Sequence, residues 1–225
     1  MATQTKENYL KAMLTLENKG KQISFTELSK LLNVSVPTVN SMVKRMQDNG
    51  WLKYQKYQPI ELTESGRLKA SLIIRKHRLA EMYLEKVMGF GWEEVHDIAE
   101  EMEHIKSTKF FERIDELLGF PSHDPHGSPI PDKLGIIQTQ NLKILRDINI
   151  GEVVEIKALR DSTHEFLKYL NQKQIQLGTK LKIDNYQSFD QSLDVNYTNK
   201  LGENVSVNFS KEVCSRLLVM ESEKK

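Results

Sequence analysis

Residues 33–50 read NVSVPTVNSMVKRMQDNG and carry the start and stop signals of one helix. Ser35 is a residue type that caps helix N-termini, Pro37 suits the first helical turn, and Gly50 suits the position after a helix ends. These signals predict a helix from Pro37 to Asp48. Its inward face would be formed by Val39, Val43 and Met46.

Two helical segments precede this stretch and a hairpin follows it. Residues 5–18 place apolar side chains at helical spacing, and SFTEL at 24–28 sets Ser24 and Glu27 in a capping box. The segment WLKYQKYQPIELT (51–63) alternates and breaks at a Gln-Pro pair, which predicts a two-stranded hairpin. Helix, helix, turn, helix and hairpin is the order of a winged helix-turn-helix.

Such a module reads DNA, and the charge of this part of the chain agrees. Residues 1–80 hold fourteen Lys and Arg against six Asp and Glu, a balance of +8. The helix 37–48 would be the recognition helix and the hairpin a phosphate-touching wing. The candidate DNA-binding residues are Ser35, Pro37, Thr38, Asn40, Ser41, Lys44, Arg45, Lys53, Lys56 and Tyr57. The alternative is a small helical domain with no role in DNA binding.

The rest of the chain changes from helices to strands. Helices are predicted at 64–87, 92–106 and 108–118, and a Pro- and Gly-rich loop at 119–135. From about Gly151 the chain shows short alternating strands, namely VVEIKAL, TKLKIDNY, SLDVNYT and NVSVNFS. One helix at about 162–170 interrupts them, and the pattern suggests a small β-barrel. The predicted fold class is therefore mainly α with a small β-barrel.

Composition limits the class of protein. No apolar run approaches the ~18 residues that a membrane span needs, so we expect no membrane partner. The first ten residues show no basic-then-apolar signal pattern. Cys214 is the single cysteine, which excludes a disulfide framework and a thiolate zinc cluster. The expected location is the cytoplasm.

Residues 96–107, HDIAEEMEHIKS, place metal-ligand side chains on one helical face. His96, Glu100, Glu103 and His104 fall within an arc of roughly 100° on an α-helix. The preceding helix offers His77 and Glu81 at i, i+4, and the loop offers His123, Asp124 and His126. Carboxylates and imidazoles without a thiol suit Mn(II) or Fe(II), although Zn(II) would also bind. The alternative is a solvated acidic face with incidental histidines.

The chain resembles the family of iron- and manganese-dependent repressors typified by diphtheria toxin repressor and the manganese transport regulator. The resemblance covers nearly the whole chain. Its motifs are, in order, ENYLKAMLTL (7–16), VSVPTVNSMVKRM (34–46), RKHRLAE (75–81), VHDIAEEMEH (95–104) and DPHGSPIP (124–131). The resemblance implies a winged helix-turn-helix at 1–75, a metal-binding and dimerisation domain at 76–140, and an SH3-like FeoA-type barrel at 150–222.

The resemblance also implies two metal sites per chain. A primary site would use Glu100, Glu103 and His104, plus Asn8 from the first helix. An ancillary site would use His77, Glu81 and His96, with Asp124 and His126 from the loop as further partners. The barrel would lend Asp161 or Glu165.

Two positions depart from the family pattern. The family usually has Met or Asp where this chain has Asn8, and manganese-type members have Glu where this chain has Lys11. Iron-type members have Cys where Glu100 stands. The hard carboxylate of Glu100 favours Mn(II) over Fe(II).

The resemblance implies that the protein is a metal-dependent repressor of metal-uptake genes and not an enzyme. It would be a homodimer that binds a palindromic double-stranded operator once metal has ordered it. Two alternatives use the same Glu/His cluster, a metal-dependent hydrolase and a metal buffer that binds no DNA.

Overall fold

The computed structural model describes residues 3–138 and 140–221, which divide into two units. The first unit contains residues 3–83, 97–122 and 130–138. The second contains residues 84–96, 123–129 and 140–221. The division into three domains at 1–75, 76–140 and 150–222 stays a prediction.

The first unit begins with three helices, α1 (Thr3–Asn18), α2 (Phe25–Leu32) and α3 (Val36–Asp48). The side chain of Ser24 accepts a hydrogen bond from the backbone N–H of Glu27 at 3.1 Å, and Ser35 accepts one from Thr38 at 3.3 Å. Both predicted N-caps are confirmed. The predicted inward face of α3 is also confirmed, because the side chains of Val39, Val43 and Met46 are completely buried.

An antiparallel hairpin follows, formed by β1 (Leu52–Lys53) and β2 (Glu61–Leu62). Leu52 pairs with Leu62, and both side chains are buried. This register turns the apolar side of the hairpin toward α1 and α3, whose buried residues belong to the same core. The helix-turn-helix and the hairpin therefore pack as one body.

Three further helices are α4 (Glu64–Lys86), α5 (Val95–Met102) and α6 (Thr108–Leu117). Helix α5 is shorter at both ends than the predicted 92–106. Residues 103–104 form a turn before the N-cap of α6, Ser107, whose side chain accepts from the N–H of Phe110 at 3.3 Å. A second core is formed by Leu79 of α4, by Phe111 and Ile114 of α6, and by Ile130.

The second unit is built on a six-stranded antiparallel sheet of order β3-β8-β4-β5-β6-β7. The strands are β3 (Lys143–Ile144), β4 (Val153–Leu159), β5 (Lys180–Gln187), β6 (Ser192–Thr198), β7 (Asn204–Phe209) and β8 (Leu217–Glu221). Helices α7 (His164–Gln172) and α8 (Lys211–Arg216) cover its core.

This sheet differs in two ways from the sequence prediction. Across residues 140–221 the recorded pairings leave β3 and β7 as edges, so closure into a barrel is not shown. The prediction also missed α8 and β8. Helix α8 is a short segment capped by Ser210, and its single buried residue is Cys214, so it has little apolar periodicity to detect.

No helix among the described residues is long and apolar enough to cross a membrane.

Candidate metal centre and DNA-binding surface

Glu103 is the most deeply buried carboxylate of the first unit. It follows the last residue of α5, and its backbone N–H donates to the carbonyl of Ala99 at 2.9 Å. Its side chain has no exposed surface. One carboxylate oxygen, Oε2, lies 2.7 Å from Nδ1 of His77 and 2.8 Å from Nζ of Lys11. A buried carboxylate thus stands between two basic groups.

His77 on α4 faces carboxylates with both ring nitrogens. Its Nε2 lies 3.0 Å from Oε1 of Glu81, and its Nδ1 faces Glu103. Burial alone would lower the pKa of His77, but the hydrogen bonds to Glu103 and Glu81 outweigh it and raise the pKa to about 9. In the metal-free protein the ring is therefore an imidazolium that donates through both nitrogens at neutral pH.

The pKa of Glu103 shifts in the opposite direction. Burial by itself raises the pKa of a carboxyl group, but the hydrogen bond from His77 and the charge of Lys11 lower it below its usual value. Glu103 is therefore ionised, and it carries the negative charge that holds the two cations.

Lys11 reaches this cluster from α1. Its ammonium donates to Oε1 of Glu100 in a short contact and to Oε2 of Glu103 at 2.8 Å. The lysine side chain is 17% exposed. The ammonium joins the first helix to the two carboxylates of the α5 region.

Two buried oxygens of this cluster are left without a hydrogen-bond partner in the described part of the chain. They are Oδ1 of Asn8 and Oε1 of Glu103. Both atoms are acceptors, and an acceptor buried without a donor is costly. Asn8 also lines an open cavity of about 680 Å³ together with Glu100 and His104.

His104 lies at the edge of the same cavity. Its Nδ1 lies 2.6 Å from Oε2 of Glu7, and its Nε2 lies 3.9 Å from Oε1 of Glu103. The predicted primary ligands Asn8, Glu100, Glu103 and His104 thus line one region of the first unit. The donor set of carboxylates, imidazole and amide fits Mn(II) or Fe(II), and the two unpartnered oxygens agree with a cation there.

One grouping of ligand atoms in the first unit combines residues of the two predicted sets. One ligand atom each of His77, Glu100 and Glu103 lie within 4.8 Å of one another. His77 was predicted for the ancillary site and the two glutamates for the primary site. In the first unit, residues from the two predicted sets share one hydrogen-bonded cluster.

Two other predicted ligands, Asp124 and His126, belong to the second unit. Oδ1 of Asp124 accepts from the backbone N–H of His126 at 2.9 Å and of Ser128 at 2.8 Å. Nε2 of His126 donates to the carbonyl of Trp92 at 2.8 Å, and the two rings stack with centroids 6.1 Å apart.

Other second-unit candidates are exposed. His96 is exposed on α5, Glu165 is exposed in the first turn of α7, and Asp161 is exposed with one oxygen 3.8 Å from Arg216. His77 and Glu81 lie in the first unit. The ancillary set, including a ligand from the C-terminal sheet, stays a prediction.

Sequence reasoning noticed Lys11 as a departure but missed its contacts, and it missed Glu7 altogether. The detectable signal was helical spacing, because Glu7, Asn8 and Lys11 fall on one face of α1 at i, i+1 and i+4. A face of α1 with charged and amide groups, beside its apolar face, would have predicted that this face contacts polar side chains of another segment.

The predicted DNA-binding residues lie on α3 and on the hairpin. Those exposed on α3 and at its N-cap are Ser35, Pro37, Thr38, Ser41, Lys44 and Arg45, whereas Asn40 is half-buried. The hydroxyl of Ser41 donates back to the carbonyl of Pro37 at 3.1 Å, so its hydrogen is already used within the helix. The exposed cations are Lys44 and Arg45.

The hairpin presents the other predicted group. Lys53, Lys56 and Tyr57 are exposed, and Tyr57 is 90% exposed with a φ of 70°. The ammonium of Lys56 lies 4.9 Å from the centre of the Tyr57 ring. A basic, aromatic hairpin tip beside a recognition helix is suited to contact a nucleic-acid backbone.

A winged helix-turn-helix that shares its first helix with a buried carboxylate–imidazole cluster defines a class, the metal-responsive DNA-binding regulators. Three family models match the chain. They are the N-terminal DNA binding domain of iron dependent repressors at residues 1–60, their metal binding and dimerisation domain at 63–132, and the FeoA domain at 144–220.

Known relatives agree. The iron-dependent repressor IdeR of Mycobacterium tuberculosis (strain ATCC 25618 / H37Rv) is 35% identical over 185 residues, which are 79% of this chain and 78% of that protein. The diphtheria toxin repressor of Corynebacterium diphtheriae is 29% identical over 195 residues, 80% and 84% of the two chains. The chain belongs to the iron-dependent repressor family.

Solved structures show the same fold. A manganese-dependent transcriptional repressor in complex with manganese superposes with a TM-score of 0.87 at 28% identity, covering 96% of this chain and all of the other. The structure of ScaR with bound Cd²⁺ gives a TM-score of 0.78 at 28% identity, covering 96% and 99%. The chain is thus a metal-dependent, DNA-binding transcriptional repressor with a dimerisation domain, and the hydrolase alternative is wrong.

Proposed function

We propose that this protein is a manganese-responsive repressor of metal-uptake genes, with Fe(II) as the second candidate metal. It acts in the cytoplasm as a homodimer on a palindromic operator. The proposal rests on one observation about α1 and the α5 region. Asn8 lines one cavity together with Glu100 and His104, and Oδ1 of Asn8 and Oε1 of the buried Glu103 have no hydrogen-bond partner among the described residues.

The candidate ligands are Asn8, Glu100, Glu103 and His104. A bound divalent ion would supply a concentrated positive charge that these four side chains can share. Glu100 offers a hard carboxylate where a thiolate would favour softer metals, which supports manganese. Asn8 offers a neutral amide oxygen, so it adds a ligand without adding charge.

The core of the first unit explains how this cluster can influence DNA binding. Tyr9, Leu10 and Met13 of α1 belong to the same buried core as Val39 and Met46 of α3. Fixing α1 through Asn8 therefore constrains the recognition helix, because both helices contribute side chains to one close-packed core that transmits displacement. A dimer must hold its two recognition helices about 34 Å apart to meet successive major grooves.

The remaining features follow the family. The C-terminal sheet matches the FeoA domain, and we infer that it is the SH3-like module of the long family members. A second metal site per chain stays part of the proposal, as do the three domains predicted at 1–75, 76–140 and 150–222.

The test is a selection of bound duplexes from a random DNA pool. It is run with Mn(II), with Fe(II) under anaerobic conditions, and with chelator. We expect a palindrome to be enriched only with metal, and more strongly with Mn(II). Equal enrichment in chelator would overturn the metal switch, and enrichment with Fe(II) alone would overturn manganese.

Site variants sharpen the test. Glu100→Gln removes a ligand charge that is partly exposed, and the control Glu112→Gln removes an exposed charge from α6, away from the cavity. Glu100→Gln should require at least tenfold more Mn(II) for half-maximal DNA binding, and Glu112→Gln should leave that concentration unchanged. The same Mn(II) requirement in both variants would contradict the assignment of Glu100.

A further inference from the structure

Lys11 already provides a cation at the two carboxylates of the candidate metal centre. Its ammonium contacts Oε1 of Glu100 and Oε2 of Glu103, which stand 89 and 92 residues away in the sequence. The lysine side chain is mostly buried, and the Glu103 side chain is fully buried. This is a defined internal ion pair, in contrast to the mobile pairs of a protein surface.

His77 shares one of these carboxylates with Lys11, since its ring nitrogens lie 2.7 Å from Glu103 and 3.0 Å from Glu81. The oxygens that Lys11 uses are oxygens that a metal ion would take. A metal ion bound to these two oxygens would overlap the position of the ammonium and repel its charge, so the two cations compete for the same place.

Resting on the proposed function, we propose that Lys11 is a built-in competitor of the metal ion at Glu100 and Glu103. A metal ion gains these two carboxylates by displacing the ammonium of Lys11. In the metal-free protein the same ammonium ties α1 to the end of α5. Lys11 therefore sets the metal concentration at which the protein responds.

The unpartnered oxygens agree with this exchange. The ammonium satisfies one oxygen of Glu103, while Oε1 of Glu103 and Oδ1 of Asn8 have no hydrogen-bond donor within residues 3–138 and 140–221. A monovalent ammonium with three N–H groups thus leaves part of the acceptor set unused. A divalent ion has the higher charge that can engage the remaining oxygens, so displacement can be favourable.

The experiment compares the unchanged protein with the variant Lys11→Met, both as full-length chains. Methionine keeps about the length of the lysine side chain and removes its charge. Lys19→Met is the matched control, because Lys19 is exposed just after α1 and has the same charge change. Binding of Mn(II) is measured by loss of the electron paramagnetic resonance signal of the free ion. We expect Lys11→Met to bind Mn(II) at least tenfold more tightly, whereas Lys19→Met binds as the unchanged protein does.

Several outcomes decide the proposal. Equal Mn(II) affinity of the unchanged protein and Lys11→Met would overturn the competition, while leaving the proposed function intact. Absence of Mn(II) binding in both would overturn the competition and the manganese-responsive function together. Lys11→Gln, which keeps a polar end group, serves as the second variant should circular dichroism show that Lys11→Met is unfolded, and it must show the same direction.

A second measurement in chelator tests the tie between the helices without metal. Amide hydrogen exchange across α1 should be faster in Lys11→Met than in Lys19→Met, because the ion pairs to Glu100 and Glu103 are absent. Equal exchange across α1 in the two variants would overturn the proposed tie.

Discussion

Replacing Glu103 with Gln should lower the thermal stability of the metal-free protein more than any loss of surface charge does. Glu103 is fully buried, and one of its oxygens binds both His77 and Lys11. Gln keeps the shape of the side chain but removes the negative charge. Two buried or mostly buried cations then lose the carboxylate between them.

The size of the effect follows from these contacts. Removing one partner of a buried ion pair typically costs about 3–5 kcal/mol. Here His77 keeps Glu81 and Lys11 keeps Glu100, so we expect the lower end of this range, about 3 kcal/mol. For a chain of this length about 1 kcal/mol shifts the Tm by about 2–4 °C, which gives a decrease of about 6–12 °C.

The assay is thermal melting followed by the helical circular dichroism signal, at pH 7 in chelator. Glu101→Gln is the control, because it makes the same change at an exposed position of α5. A surface substitution of this kind changes stability by about 0.5 kcal/mol or less, which corresponds to about 1–2 °C. A Tm of Glu103→Gln within 2 °C of the control would refute the buried ion-pair reasoning.

Two further predictions concern the recognition helix and the sheet. Because Lys44 is exposed on α3, Lys44→Ala should weaken binding to all duplexes and reduce the slope of log affinity against log salt concentration by about one unit. The control is Lys180→Ala, which removes an exposed charge from the C-terminal sheet. Weaker binding only to duplexes changed at one base position would instead show that Lys44 contacts a base. Burial raises the pKa of the Cys214 thiol to about 11, above its reference value of 9.0. Alkylation by iodoacetamide at pH 8 should therefore be about 100-fold slower in the folded protein than in guanidinium, and it should accelerate as the pH rises toward 11, because the thiolate is the reacting form. Equal rates in the folded and unfolded protein would contradict the buried position of this thiol.

Local signals in the sequence were reliable where a few neighbouring residues decide the conformation. The caps at Ser24 and Ser35 both form, because an N-cap needs only a side-chain oxygen and the backbone N–H three residues on. Strands β4 and β6 match the alternating segments VVEIKAL and SLDVNYT at every residue. In each strand buried side chains mostly alternate with half-buried or exposed ones.

Signals that depend on distant partners were weaker. The alternating strands suggested a barrel, but closure depends on pairing between the first and last strands, which no local pattern specifies. The recorded pairings give an open order with β3 and β7 at the edges of the described sheet. The short β8 pairs with both β3 and β4, and this central position cannot be read from its five residues.

Spacing and capping signals were enough to predict the winged helix-turn-helix and a polar face with Glu100, Glu103 and His104, because these patterns involve residues close together in the chain. The meeting of Lys11 and His77 at Glu103 became visible only in the folded protein. These three residues come from separate segments that the burial of apolar faces brings together. The contacts among their charges are a consequence of that packing. The sequence could therefore predict the candidate metal ligands but not that the ammonium of Lys11 contacts them.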